Sequence, residues 1–194
     1  MRSTSLTRKT GETDIDLHLD LDGEGTSSIE TGVGFFDHML TLFAKHGLMD
    51  LDLTCNGDTW VDAHHTVEDV GIALGQAFDK ALGDKAGIRR YGFLRLPMDE
   101  ALIEVALDIS GRPFLVCQVD FQEQKTGDFD AGLLEEFLRA FAMNAKITLH
   151  VNVIYGKNTH HIIEGVFKAL AKALDMATTY DRRIKGVLST KGVL

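Results

Sequence analysis

Cysteine is scarce in this chain, with only Cys55 and Cys117 in 194 residues. Two thiols so far apart give no disulfide framework, and neither lies beside a histidine cluster, which excludes a cysteine-based zinc site. Both are expected to be reduced and packed in strands. No apolar run approaches the roughly 18 residues of a membrane span, and Met1–Thr10 is polar, without the apolar centre of a signal peptide. A cytoplasmic globular protein with no membrane association is expected. Positive charge is also short: 20 Lys and Arg against 29 Asp and Glu leave a net charge of −9. Phosphate backbones demand clustered positive charge, so a general nucleic-acid binder is excluded and any anionic ligand must meet a local basic site. Gly32-x-Gly34 lacks the strand before and helix after that a dinucleotide-binding loop requires. Nucleophile signatures of the Ser-His-Asp or Cys-His kind are missing as well.

Histidine is what the chain does have. Of its 8 histidines, His38, His64, His65, His160 and His161 carry the argument. His64-His65-Thr66-Val67-Glu68-Asp69 is echoed by His160-His161-Ile162-Ile163-Glu164. On a helix, residues four apart share a face, so His64 pairs with Glu68, His65 with Asp69 and His160 with Glu164, each pair able to grip a cation. Adjacent histidines diverge by about 100° around a helix and naturally serve two ions. A single His-x-x-x-Glu is ordinarily an exposed helical start; the repetition makes metal ligation the better reading.

The repeat extends beyond the histidines. Aligning His64 with His160 gives identity at His65/His161, Glu68/Glu164, Val70/Val166, Ala73/Ala169, Leu74/Leu170, Ala77/Ala173 and Asp79/Asp175. Upstream, the helical pattern Asp37–Ala44 matches Glu135–Ala142, making Glu136 the counterpart of His38. Alternating strands follow at Leu51–Cys55 and Ile147–Val153, and further strands are expected at Ile15–Leu21, Ala101–Ser110 and Phe114–Phe121. Each half reads strand, strand, helix, strand, helix: an α+β unit with helices on one face of a mixed sheet. Residues 1–194 form a single domain of two pseudo-symmetric halves, about 1–93 and 94–194. Gly111-Arg112-Pro113 is expected to make a hairpin turn.

Imidazole and carboxylate donors without thiolate suit Mn, Fe, Zn or Ni, and the oxygen share favours Mn. The candidate ligands are His38, His64, His65, Glu68, His160, His161 and Glu164, with Glu136 a weaker eighth. Asp62 or Asp69 would orient ligand rings, or would be plain capping carboxylates. Lys168 follows Glu164 by one turn and is either its surface ion-pair partner or a cation for an anionic substrate. Arg90, Arg112 and the tail Ser189-Thr190-Lys191-Gly192 offer further phosphate donors.

Gly34-Phe35-Phe36-Asp37-His38-Met39, Asp62–Val70, Ser110-Gly111-Arg112-Pro113, Asn158–Glu164 and Ser189–Leu194, in this order, make the chain resemble the imidazoleglycerol-phosphate dehydratase family over nearly its whole length. The resemblance implies the monofunctional form, a duplicated fold of the ribosomal protein S5 domain 2-like kind, and dehydration of imidazole-glycerol phosphate to imidazole-acetol phosphate in histidine biosynthesis. It further implies two Mn2+ per active site and a 24-subunit assembly with sites shared between subunits. One ion would take His64, Glu68 and His161; the other would take His38, His65, His160 and Glu164, each ion drawing on two chains. Many family members have His where this chain has Glu136. Glu12 and Asp99 are implied as substrate-contacting carboxylates that act in catalysis with Glu68 and Glu164. Arg90, Arg112, Lys168, Ser189, Thr190 and Lys191 map to phosphate- and substrate-binding positions, Thr190 replacing the usual Ser. The implied chemistry runs through a metal-stabilised imidazolate and a diazafulvene. Two rivals use the same residues: a dinuclear phosphate-ester hydrolase, and a metal-knit scaffold without turnover.

Overall fold

The structure, a computed structural model, describes residues 2–194, so that only Met1 of the stretches read above lies outside it. The first half runs β1 (Ser3–Lys9), β2 (Thr13–Asp20), β3 (Ser27–Glu30), α1 (Gly34–Gly47), β4 (Asp50–Gly57) and α2 (His64–Leu82). The second runs β5 (Tyr91–Met98), β6 (Ala101–Asp108), β7 (Phe114–Gln118), the short pair β8 (Lys125–Thr126) and β9 (Phe129–Asp130), α3 (Leu133–Ala145), β10 (Thr148–Tyr155) and α4 (Thr159–Thr178). The sheet orders are β1-β2-β4-β3 and β5-β6-β10-β7. In each sheet the last neighbour is the parallel one, β3 on β4 and β7 on β10. Order and sense therefore repeat, which makes the duplication an architectural fact. The changeover falls in segment 83–90, a little before the division expected from the sequence.

Alternation builds the sheets. Ile15, Leu17 and Leu19 of β2 point inward and pair across the ladder with Cys55, Leu53 and Leu51 of β4. Val105 and Leu107 of β6 meet Val151 and Leu149 of β10 in the same way. Both inner faces are covered by helices. α2 packs on β1, β2 and β4 and against α3; α4 packs on β5 and β6 and against α1. The four helices thus fill the space between two sheets, as a mixed sheet with one apolar face requires. Phe36, Phe43, Phe78, Phe137, Phe141 and Phe167, all fully buried, knit them together. Phe137 stacks on Phe167 at 5.0 Å and Phe36 meets Phe137 edge-on at 5.5 Å. Burying each ring contributes about 1.5–3 kcal/mol, and each such pair adds about 0.5–1.5 kcal/mol. Cys55 is buried in β4 and Cys117 half-buried in β7, both free.

Three expectations change. Each half gives its sheet three strands before its first helix, and the second half adds the β8–β9 pair; β1, β3 and β5 go unannounced because they are edge strands whose sequences carry little inward apolar alternation. Gly111-Arg112-Pro113 does not close a hairpin: β10 lies between β6 and β7, so the turn carries a crossover. Gly32-x-Gly34 does sit between a strand and a helix, β3 and α1. That strand is a four-residue edge, and the sheet is not the doubly wound parallel kind that binds dinucleotides.

Candidate metal centre

The His-His pairs occupy the first turns of α2 and α4. Asn158 caps α4, its side chain accepting from the backbone N–H of His160 at 2.9 Å and of His161 at 3.3 Å. Asp62, its counterpart in the repeat, accepts from His64 N–H at 2.8 Å. Asp62 therefore ties down the backbone just ahead of α2 and hydrogen-bonds to no ring. Capping fixes the helix start, and the helix period then separates the two rings of each pair to 6.1 Å between centroids.

Among the described residues, only His38, His160 and Glu164 offer three ligand atoms within 4.8 Å of one another. α1 supplies His38 and α4 the other two. Glu164 Oε2 lies 3.2 Å from His160 Nε2 and 3.7 Å from His38 Nε2. Phe35 sets its ring edge-on to His160 at 5.2 Å and limits how that imidazole can turn. Burial alone would raise the Glu164 carboxyl, but Lys168 at 2.5 Å, together with His160, outweighs it and holds the group below its ordinary value. A buried anion facing two imidazoles is the donor chemistry a divalent cation takes. Lys168 is thus the ion-pair partner of Glu164, with its ammonium also 3.7 Å from Met98 Sδ.

His64 Nε2 stands 3.8 Å from Glu68, the same (i, i+4) pair in the first half. A cleft of about 1010 Å³ opens between His64 and His160, lined also by Phe35, Asp62, Lys125 and Glu136. Glu136 faces this cleft without joining a ligand cluster. The expected pairing of His65 with Asp69 does not occur. Asp69 turns into the protein, 2.6 Å from Arg8 and 2.5 Å from Thr13 Oγ1, because β1 and β2 cover that side of α2. His65 instead meets two loop carboxylates: Asp58 at 3.0 Å on Nδ1 and Glu12 at 3.7 Å on Nε2. His161 repeats the arrangement, with Glu100 at 2.7 Å on Nδ1 and Asp99 at 3.6 Å on Nε2. The hydrogen bonds that their rings donate to Asp58 and Glu100 raise both imidazoles above their ordinary value. Glu100 is pulled down to about 2, first by Asn158 N–H, then by His161 and Lys157 N–H.

The basic candidates other than Lys168 lie elsewhere. Arg90 is held by Asp108 at 2.6 and 3.0 Å and donates to the Leu188 carbonyl at 2.7 Å. Arg112 is exposed near the same Asp108, and Thr148 donates to the Arg112 carbonyl at 3.0 Å. The tail returns to this turn: a Cβ on Gly111 would stand 2.6 Å from the Leu194 carbonyl carbon. Ser189, Thr190 and Lys191 follow Leu188 here. None of these groups bonds to the histidine clusters. Thr148 opens β10, whereas Tyr155 closes it at the end where α4 begins, a span of roughly 23 Å at strand rise. α4 measures the same gap, since Arg90 N–H donates to Ala177 O at 2.9 Å, roughly 25 Å along the helix from His160.

Sequence reasoning missed Asp58 and Glu100. Their signal is chemical: each ligand imidazole needs an acceptor for its second nitrogen, and acidic residues in the adjoining turns are the places to look.

Comparison with known proteins agrees with the geometry. The family model described as imidazoleglycerol-phosphate dehydratase matches residues 31–174. The chain is 62% identical over 193 residues to the imidazoleglycerol-phosphate dehydratase of Acetivibrio thermocellus, covering 100% of this chain and 99% of that one. It is 57% identical over 194 residues to that of Thermoanaerobacter pseudethanolicus, with full coverage of both. The crystal structure of the Staphylococcus aureus enzyme superposes with a TM-score of 0.85 at 41% identity, covering 92% of this chain and 99% of that one. That of the Pyrococcus furiosus enzyme gives 0.84 at 36%, covering 97% and 100%. The chain belongs to the imidazoleglycerol-phosphate dehydratase family, hydro-lyases of histidine biosynthesis.

Proposed function

We propose that the chain dehydrates D-erythro-imidazole-glycerol phosphate to imidazole-acetol phosphate with two Mn2+ per site, at active sites completed between subunits of a 24-subunit assembly. The observation that carries the shared sites is the separation just described: the basic cluster at Arg90, Arg112 and the tail stands a helix length away from the histidines. A substrate with imidazole and phosphate only a few bonds apart cannot bridge that gap within one chain. No helix of the described residues is long and apolar enough to cross a membrane, and a cytoplasmic location is the reading we adopt.

The nitrogen and oxygen donors fit Mn2+. One set is His38, His160 and Glu164 with His65 of another chain; the other is His64 and Glu68 with His161 of another chain, and Glu136 faces the cleft beside His64. When bound, the ions supply Lewis acidity that makes the substrate imidazole a better electron sink. The chain's residues do the rest. The carbon that loses its proton has no adjacent carbonyl, so proton transfer must be well placed. Glu12 and Asp99 stand at equivalent hairpin turns, each beside a histidine Nε2, and between them carry the proton taken from carbon and the one delivered to the departing hydroxyl. Arg112 and the tail hydroxyls of Ser189 and Thr190, with Lys191, all from a neighbouring chain, bind the phosphate beside Lys168, whose ammonium stays paired with Glu164; Arg90 holds the tail in place.

Purified protein supplied with Mn2+ is expected to form the keto product and to release no inorganic phosphate. Stripping with chelator should abolish turnover and added Mn2+ should restore it. Glu164→Gln, which takes the anionic donor from one ligand set, should abolish measurable turnover. Full activity in a metal-free preparation sinks the proposal, and phosphate release would point to a hydrolase instead.

A further inference from the structure

The two rings that each stand beside a turn carboxylate, His65 and His161, are supported from behind by different parts of the fold. Asp58 comes from the segment between β4 and α2, is almost fully buried and places both oxygens on His65 Nδ1, at 3.0 and 3.2 Å. Glu100 comes from the β5–β6 turn, where Asp99 takes a left-handed backbone with φ of 48° that turns the chain over α4. Its Oε2 lies 2.7 Å from His161 Nδ1, while Oε1 accepts from Lys157 N–H at 3.1 Å and Asn158 N–H at 2.8 Å. Duplication alone does not produce this match. The β4 end that precedes Asp58 corresponds to the β10 end, where Gly156 stands. The turn that carries Glu100 corresponds to the β1–β2 turn, whose Glu12 faces Nε2 instead. The same support has been reached from two unrelated positions, which points to a requirement of the rings themselves.

We propose that Asp58 and Glu100 are positioning residues that fix the tautomer and orientation of His65 and His161, so that each presents an unprotonated Nε2 to a divalent cation. Only Nδ1 has a carboxylate at hydrogen-bond distance, Asp58 at 3.0 Å and Glu100 at 2.7 Å, whereas Glu12 and Asp99 stand 3.7 and 3.6 Å from Nε2; a carboxylate only accepts, so Nδ1 carries the hydrogen and Nε2 keeps its lone pair. Imidazole ligands ordinarily need this outer partner, and its loss weakens metal affinity by about 10–100-fold. Glu100 is itself locked by two backbone N–H groups, so it cannot swing away when the ring is pulled. The inference rests on the metal-dependent reading above, and it adds two residues that act through the ligands without touching substrate.

The test is Mn2+ binding, followed by the resonance signal of free aqueous Mn2+ in intact wild type, Glu100→Gln and Asp58→Ala. In Glu100→Gln the amide oxygen stays with the backbone N–H pair, and its NH2 faces His161, favouring the tautomer that protonates Nε2. Affinity at one class of sites should fall by about 10–100-fold in each variant, and kcat at saturating Mn2+ should stay within a few-fold of wild type. Glu100→Asp, which keeps an acceptor, should recover part of the affinity. Because Glu100 also holds backbone before α4, Asp58→Ala, which removes the acceptor and no backbone contact, carries the test should Glu100→Gln misfold. Wild-type affinity in Asp58→Ala, or in a folded Glu100→Gln, overturns the proposal. A wild-type protein that binds no Mn2+ fails the metal reading itself, and the two failures are distinguishable.

Discussion

Asp69 shows how far a residue's neighbours can override its place in a motif. It closes the segment that begins at His64, yet it lies buried against Arg8 at 2.6 Å, Thr13 at 2.5 Å and Thr10 at 3.4 Å. These partners flank the turn that bears Glu12, so Asp69 clamps that turn onto α2. Asp69→Asn leaves Arg8 without its counter-charge in a site only partly open to water. One-sided loss of a buried pair costs about 3–5 kcal/mol, and the exposure remaining on Arg8 brings the expectation to about 2–3 kcal/mol. We expect a lower melting temperature and a reduced kcat with Mn2+ content unchanged; loss of metal instead would return Asp69 to the ligand set. At this scale the histidines were legible because a rare pattern occurs twice. Asp58 and Glu100 were not, since their contacts depend on turn geometry that no helical period encodes. Asp69 was misread because (i, i+4) spacing says which residues share a face but not which sheet covers that face.

Elements were legible wherever burial is one-sided. α1 buries Phe36, Met39, Leu40, Phe43 and Ala44, a spacing that can only be helical, and β2 and β6 alternate cleanly. The edge strands β1, β3 and β5 escaped because their stability comes from ladder hydrogen bonds and not from inward apolar residues, whereas the edge strand β7 was legible in its apolar run. The crossover at Gly111 escaped because a turn signal reports a change of direction and not the partner of the next strand. The helix layer adds a constraint the sequence does not announce. A Cβ on Gly75 of α2 would stand 2.6 Å from the Phe141 carbonyl oxygen and 2.9 Å from Ala145 N, both backbone of α3. Ala is the better helix former by about 1 kcal/mol, but forcing the helices apart costs about 1–3 kcal/mol and the adjoining phenylalanine cluster with it. Gly75→Ala is therefore expected to lower the melting temperature, by about 2–4 °C for each kcal/mol lost. A rise would show that α2 and α3 can separate without penalty.

At the scale of the whole molecule, the duplication and the placement of charge belong to one argument. A pseudo-twofold gives each half a His-His-Glu helix start, and the second sheet holds the phosphate-binding candidates at its far end. On the shared-site proposal, a lone chain has every part of the site but in the wrong places, and closure requires neighbours. This separates shared sites from sites closed within a chain. His64→Ala disables only the first-half contribution and His160→Ala only the second, so each variant alone should be nearly inactive. Co-expressed in equal amounts, about half of the first-half contributions and about half of the second-half contributions are intact, so about a quarter of randomly mixed sites are whole. We expect activity near that fraction of wild type in the co-assembled protein, with none on mixing the separately purified variants unless the assemblies exchange subunits. Sites formed within single chains would give no recovery under either protocol, because no chain in the mixture carries both intact halves.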